Sequence, residues 1–86
     1  MIFPCSIILN SENFEKIQKI LFEEGVSWYA IGQNLVPTKD FKENLKNWNN
    51  KLVYINIGIN KTMFYNTYHK YKIYDFRKEK IKKILE

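Results

Sequence analysis

The segment "LVYINIGINKTMFYNT" at residues 52–67 places two strand-like runs on either side of a short polar break. Val53, Ile55, Ile57 and Ile59 share one face of the first run, and Leu52, Tyr54 and Asn56 share the other, because side chains alternate along a strand. Asn60 and Lys61 predict a tight turn into "TMFYNT", with asparagine accepting a left-handed backbone angle more readily than lysine. A two-stranded hairpin is at best marginally stable by itself in water. The rest of the chain must therefore supply more strands and a cover for one apolar face.

"CSIILN", after Pro4, reads as a first strand. Asn10 or Ser11 can cap a helix over 12–24 in which Phe14, Ile17 and Leu21 form an apolar stripe widened by Ile20. Glu15, Lys19 and Glu23 face water, and Gly25 supplies a left-handed stop. Val26, Trp28 and Ala30 then alternate as a strand, "IGQN" reads as a turn, and Pro37 limits any strand after it. Over 38–50, Thr38 can cap one or two helical turns carrying Phe41, Leu45 and Trp48, although the asparagines near the end weaken helix propensity; a long surface loop is the other reading. "HKYKIYDF" predicts a last strand with Tyr71 and Ile73 on one side, and Asp75 caps a basic helix over 76–85. The expected fold is one α+β domain spanning 1–86. Its small mixed or mainly antiparallel sheet has three to five strands, packed against an N-terminal helix (about 12–24) and a C-terminal helix (about 76–85).

Charge is uneven along the chain. Residues 1–50 hold five lysines against six carboxylates, whereas residues 51–86 hold nine Lys or Arg against three, which accounts for the net +5. A positive field of this kind attracts nucleic acid, an acidic protein or a phosphorylated ligand without choosing among them. Cys5 has no second cysteine to pair with, which suits a reducing cytoplasm, and the opening "MIFPCSIILN" has neither the basic start of a secretion signal nor the length of a membrane span.

No catalytic or metal-binding constellation emerges. His69 is the only histidine, the glycines Gly25, Gly32 and Gly58 are isolated, and Glu23 and Glu24 are adjacent on a helix and point apart. The expectation is a non-enzymatic protein without a cofactor. As contact residues the sequence offers Tyr29, which points opposite the core-facing Trp28, together with Trp48, Tyr68, Tyr71 and Tyr74. Against this stands the ordinary reading that Tyr71 and Tyr74 are half-buried sheet residues and the lysines a solvated face. Arg77, Lys78, Lys82 and Lys83 would steer an acidic partner. The same basic region, read with Tyr68 through Lys83, suits sequence-independent nucleic-acid binding, and a pocket for a phosphorylated or cyclic nucleotide ligand is a third reading. An exposed edge strand would favour a homodimer.

At "IQKILFEEGVSWYA", Leu21, Phe22, Glu23, Gly25 and Trp28 match a pattern of helix end, acidic residue, glycine and tryptophan, and "LVYINI" extends the match. In these positions the chain resembles a loose group of short, uncharacterised phage and prophage proteins. The resemblance covers mainly packing and turn residues and implies no catalytic position. It implies a small phage-encoded modulator or inhibitor of a host or antiviral defence protein, acting in the cytoplasm.

Overall fold

The computed structural model describes residues 1–74. They form β1 (Cys5–Leu9), α1 (Phe14–Glu23), β2 (Ser27–Trp28), α2 (Thr38–Asn47), β3 (Val53–Ile57) and β4 (Thr62–Asn66). The four strands make one sheet in the order β1-β3-β4-β2. β3 pairs antiparallel with both β1 and β4, while β2 runs parallel to β4, so the sheet is mixed and the fold is α+β. On the outer edge of β1, Ser6 forms a single parallel bridge to Ile73. The expected final strand is reduced to this one rung, and the expected C-terminal helix over 76–85 lies outside the described residues.

Both helices cover the same side of the sheet. Cys5, Ile7 and Leu9 of β1, Val53, Ile55 and Ile57 of β3, and Met63 of β4 meet Phe14, Ile17 and Leu21 of α1 and Phe41 of α2 in one buried cluster. Each such side chain contributes about 1.5–3 kcal/mol by leaving water. An aromatic set closes the layer at one end. The Phe14 and Phe41 rings stack at 4.5 Å, and Tyr65 meets Phe14, Trp28, Phe41 and Trp48 edge-on.

The ends of α1 follow from local chemistry. Asn10 Oδ1 accepts from the backbone N–H groups of Glu12 and Asn13, and Asn13 Oδ1 accepts from the Asn10 N–H. This reciprocal pair occupies the first turn, so the helix proper starts at Phe14 rather than at 12. At the other end Gly25 takes φ +84°, the Val26 N–H reaches Leu21 O and the Gly25 N–H reaches Phe22 O, the paired bonds of a Schellman stop.

α2 is longer than the one or two turns expected. Its end has the same two-bond form, with Asn50 N–H donating to Leu45 O and Asn49 N–H to Lys46 O while both asparagines sit at φ +54°. The asparagines that lower helix propensity are thus partly the stop signal itself, since their side chains tolerate the left-handed region. Thr38 is the first helical residue and makes no capping bond; Pro37 precedes it.

Three further expectations are corrected. β2 is two residues long and Ala30 is exposed, because the chain turns back at once: Trp28 and Gly32 exchange backbone hydrogen bonds of 2.7 and 3.1 Å. No strand follows this turn before Pro37. β3 ends at Ile57, and Ile59 is 77% exposed rather than in the core. In the β3–β4 connection Lys61, not Asn60, adopts the left-handed angle, at φ +62°. Asn60 instead turns its Oδ1 onto the Thr62 N–H.

Lys61 holds this angle while its Nζ donates to Glu24 O at 3.1 Å, on the last turn of α1. Two effects therefore oppose each other at one residue. Lys61→Ala should lose the helix-end bond and keep the strain, lowering stability by about 0.5–1 kcal/mol. Lys61→Gly loses the same bond but relieves about 1–2 kcal/mol of left-handed strain and should be at least as stable as the native chain. Urea unfolding of both variants decides it, and a glycine variant weaker than the alanine one would refute the strain argument.

Candidate interaction surfaces

Three buried polar side chains position what the surface displays. The first is Gln18, on the apolar stripe of α1 and fully buried. Its Oε1 accepts from Trp28 Nε1–H at 3.0 Å and from the Val36 N–H at 2.7 Å, while Nε2 donates to Val36 O at 2.9 Å. An indole N–H can only donate, which fixes the orientation of the amide. Gln18 thereby ties the far end of the 29–36 loop to the helix, as a strand would.

The near end of that loop is fixed by the Trp28–Gly32 exchange and by the Tyr29 N–H, which donates to Met63 O at 3.0 Å. Between the two ends, Gln33 Nε2 donates to Phe22 O and Val26 O, and Asn34 Nδ2 to Ile31 O. The loop backbone is held at both ends and in the middle. It displays large apolar side chains beside exposed Gln33 and Asn34: Tyr29 is 84% exposed, with Ile31 and Leu35 also open to solvent. No residue from Val26 to Thr38 is charged.

The other two are Ser6 and Asn56, opposite each other on β1 and β3 and both fully buried. They lie on the sheet face turned away from the helices, where residues 67–72 cross as a strap. Asn56 Oδ1 accepts from Ser6 Oγ at 2.6 Å and from the Lys70 N–H at 2.7 Å, and its Nδ2 donates to Tyr68 O at 3.1 Å. Ser6 Oγ accepts in turn from the Tyr71 N–H at 3.1 Å. The strap then joins the β1 edge, with the Ser6 N–H donating to Lys72 O and the Tyr74 N–H to Ser6 O.

On the strap's outer side Tyr68, His69, Lys70 and Lys72 are exposed and Tyr71 is half-buried. The His69 ring lies 5.1 Å from that of Tyr54 on β3, and Lys70 Nζ sits 5.7 Å from the Tyr71 ring.

The residues nominated from sequence fall in three places. Tyr29 stands on the loop beyond β2. Trp48, half-buried, packs its ring on Tyr65 on the helix side. Tyr68 and Tyr71 belong to the strap on the opposite face, and Tyr74, half-buried, packs against the core from the β1 edge. Arg77, Lys78, Lys82 and Lys83 lie outside the described residues. Gln18, Ser6, Asn56 and Gln33 were not nominated, yet they hold both surfaces in shape.

Burial raises the pKa of two groups inside the fold. Desolvation pushes the Cys5 thiol up, opposed by the N-terminal ammonium, which disfavours the reactive thiolate. Desolvation also raises Tyr65; the hydrogen bond from Asn44 lowers it, and Asp40 adds to the rise. Both are packing groups. Among the described residues no three His, Cys, Asp or Glu side chains are grouped so as to hold a metal ion, and no helix is long and apolar enough to cross a membrane.

Fold and surfaces together define a small α+β domain whose mixed sheet carries helices on one face and a polar-anchored strap on the other. No family model, no curated protein and no solved structure matches this chain.

Proposed function

We propose that this chain is a non-enzymatic protein-binding module that acts by occupying a surface of its partner. The observation that carries the reading is Tyr29, 84% exposed on a loop whose backbone is pinned at both ends. A large ring on a pre-ordered backbone loses little freedom on docking, so more of its contact energy appears as affinity. With Ile31 beside it and no charge from Val26 to Thr38, the loop fits an uncharged concave pocket, where a buried lysine or carboxylate would carry a desolvation penalty. Host and antiviral defence proteins come first among the partners to test, the class implied by the sequence resemblance to phage and prophage proteins.

The test is affinity capture from a bacterial lysate after nuclease digestion, followed by titration of the recovered protein against variants. Tyr29→Ala should weaken the complex about 30-fold, the effect of losing a ~2 kcal/mol anchor, while the unfolding midpoint stays within error because the ring is exposed. A partner whose affinity is unchanged by Tyr29→Ala and Ile31→Ser together would remove the loop from the interface.

A further inference from the structure

The described molecule is electrostatically two-sided. All of its carboxylates, namely Glu12, Glu15, Glu23, Glu24, Asp40 and Glu43, belong to the stretch between β1 and β3 that builds the helical layer. Residues 1–11 and 44–74 contain none. Apart from the two residues of β2, which hold no carboxylate themselves, the sheet face away from the helices, with its strap, is built among the described residues from segments without a carboxylate, and it presents Lys70 and Lys72 in solvent. A face with cations and no anions of its own attracts polyanions without internal competition.

Its aromatic groups narrow the class. Tyr68 is 52% exposed at the start of the strap. Next to it the His69 and Tyr54 rings form a tilted pair, 59° between planes, on the surface of the sheet. Aromatic faces interleaved with lysines on a sheet suit unstacked bases, which can lie on the rings while the lysines meet the phosphates. An acidic protein surface would use the lysines and leave the rings without that role. Paired bases in a duplex expose edges rather than π-faces, and among the described residues this face carries no helix to enter a groove.

We propose that the strap face binds single-stranded nucleic acid without sequence preference, through Tyr68 and the Tyr54–His69 pair as stacking groups and Lys70 and Lys72 as phosphate contacts. This site is separate from the Tyr29 loop. The anchoring of the Tyr68, Lys70 and Tyr71 backbones to Asn56 and Ser6 presents the groups already ordered, which reduces the entropy lost on binding.

The experiment is fluorescence anisotropy of the full chain with a labelled oligothymidylate of about twelve nucleotides, within the usual site size of one such surface, over a salt series. Binding should weaken linearly in log–log form with salt. Lys70→Glu with Lys72→Glu should reduce the slope by about 1.4, two phosphate contacts at roughly 0.7 each on a single strand. Tyr68→Ala should lower affinity about 5- to 150-fold, the loss of one stacked base, with unchanged melting. Tyr29→Ala should leave the curve where it was, so a failed loop reading and a failed strap reading give different results. Absence of binding, binding insensitive to the strap variants, or equal competition by inorganic polyphosphate, which has charge without bases, would each overturn the assignment.

Discussion

Gln18→Leu should be among the most destabilising single substitutions in this chain, lowering stability by about 3–5 kcal/mol. Leucine matches the apolar stripe and raises helix propensity slightly, so an argument from α1 alone would expect a neutral or favourable change. The tertiary contacts reverse the sign. Trp28 Nε1–H, the Val36 N–H and Val36 O would all lose their partner, and each orphan, the first buried and the other two half-buried, costs about 1–3 kcal/mol at most. A chain of this length has roughly 4–13 kcal/mol in total, so the variant should be close to unfolding at moderate urea. Gln18→Glu separates the contributions. Its carboxylate keeps the acceptor but loses the donor to Val36 O and buries a charge, so it should be destabilised at neutral pH and partly recover in acid as the carboxyl protonates. Urea titrations followed by tryptophan fluorescence measure both, and a Gln18→Leu loss below about 1 kcal/mol would show that water replaces the amide.

The same residue marks the limit of what the sequence makes legible. Phe14, Ile17 and Leu21 announce α1 because burial follows the helical period, and Gly25 announces its stop because few other residues take φ +84° cheaply. The alternation of Val53, Ile55 and Ile57 is equally open to reading, as is the contrast between buried Trp28 and exposed Tyr29. Gln18 and Asn56 are hidden because polarity is read as exposure. The available signal was their context, a glutamine between Ile17 and Leu21 and an asparagine between Ile55 and Ile57, where polar side chains are kept only if partners satisfy them. Those partners, Val36 and the strap, are 18 and 12 to 14 residues away, beyond any local pattern. The length of α2 escapes the sequence for a related reason: Phe41, Leu45 and Trp48 gain enough from packing to outweigh Asn44 and Asn47, while Asn49 and Asn50 form its stop. The parallel pairing of β2 rests on two residues against β4, too few to leave a period.

Asn56→Leu should release the strap while leaving the helix-covered core folded. In the native chain Asn56 accepts from Ser6 Oγ and the Lys70 N–H and donates to Tyr68 O. Leucine removes all three bonds and leaves the Lys70 N–H and Tyr68 O to find water. The strap can find water only by lifting from the sheet, because the site beneath it is fully buried. The core has no such dependence, since Ile55 and Ile57 face the other way. A loss of about 2–4 kcal/mol is expected, concentrated in local opening rather than global unfolding. Native-state hydrogen exchange distinguishes the two: the Lys70 and Tyr71 amides should exchange about 30- to 1,000-fold faster, and those of Ile7 and Ile55 much less. Ser6→Ala should produce a smaller effect centred on Tyr71, whose N–H loses the hydroxyl. The two substitutions should be non-additive, because Ser6 Oγ and Asn56 Oδ1 bond each other. The functional consequence follows from the same geometry. An unanchored strap must be ordered again on binding, so Asn56→Leu should weaken the oligothymidylate complex although Asn56 is buried and touches no ligand. Equal loss of protection across strap and core would mean that the strap is part of the cooperative fold, and its anchors would then be stability elements rather than supports for a binding face.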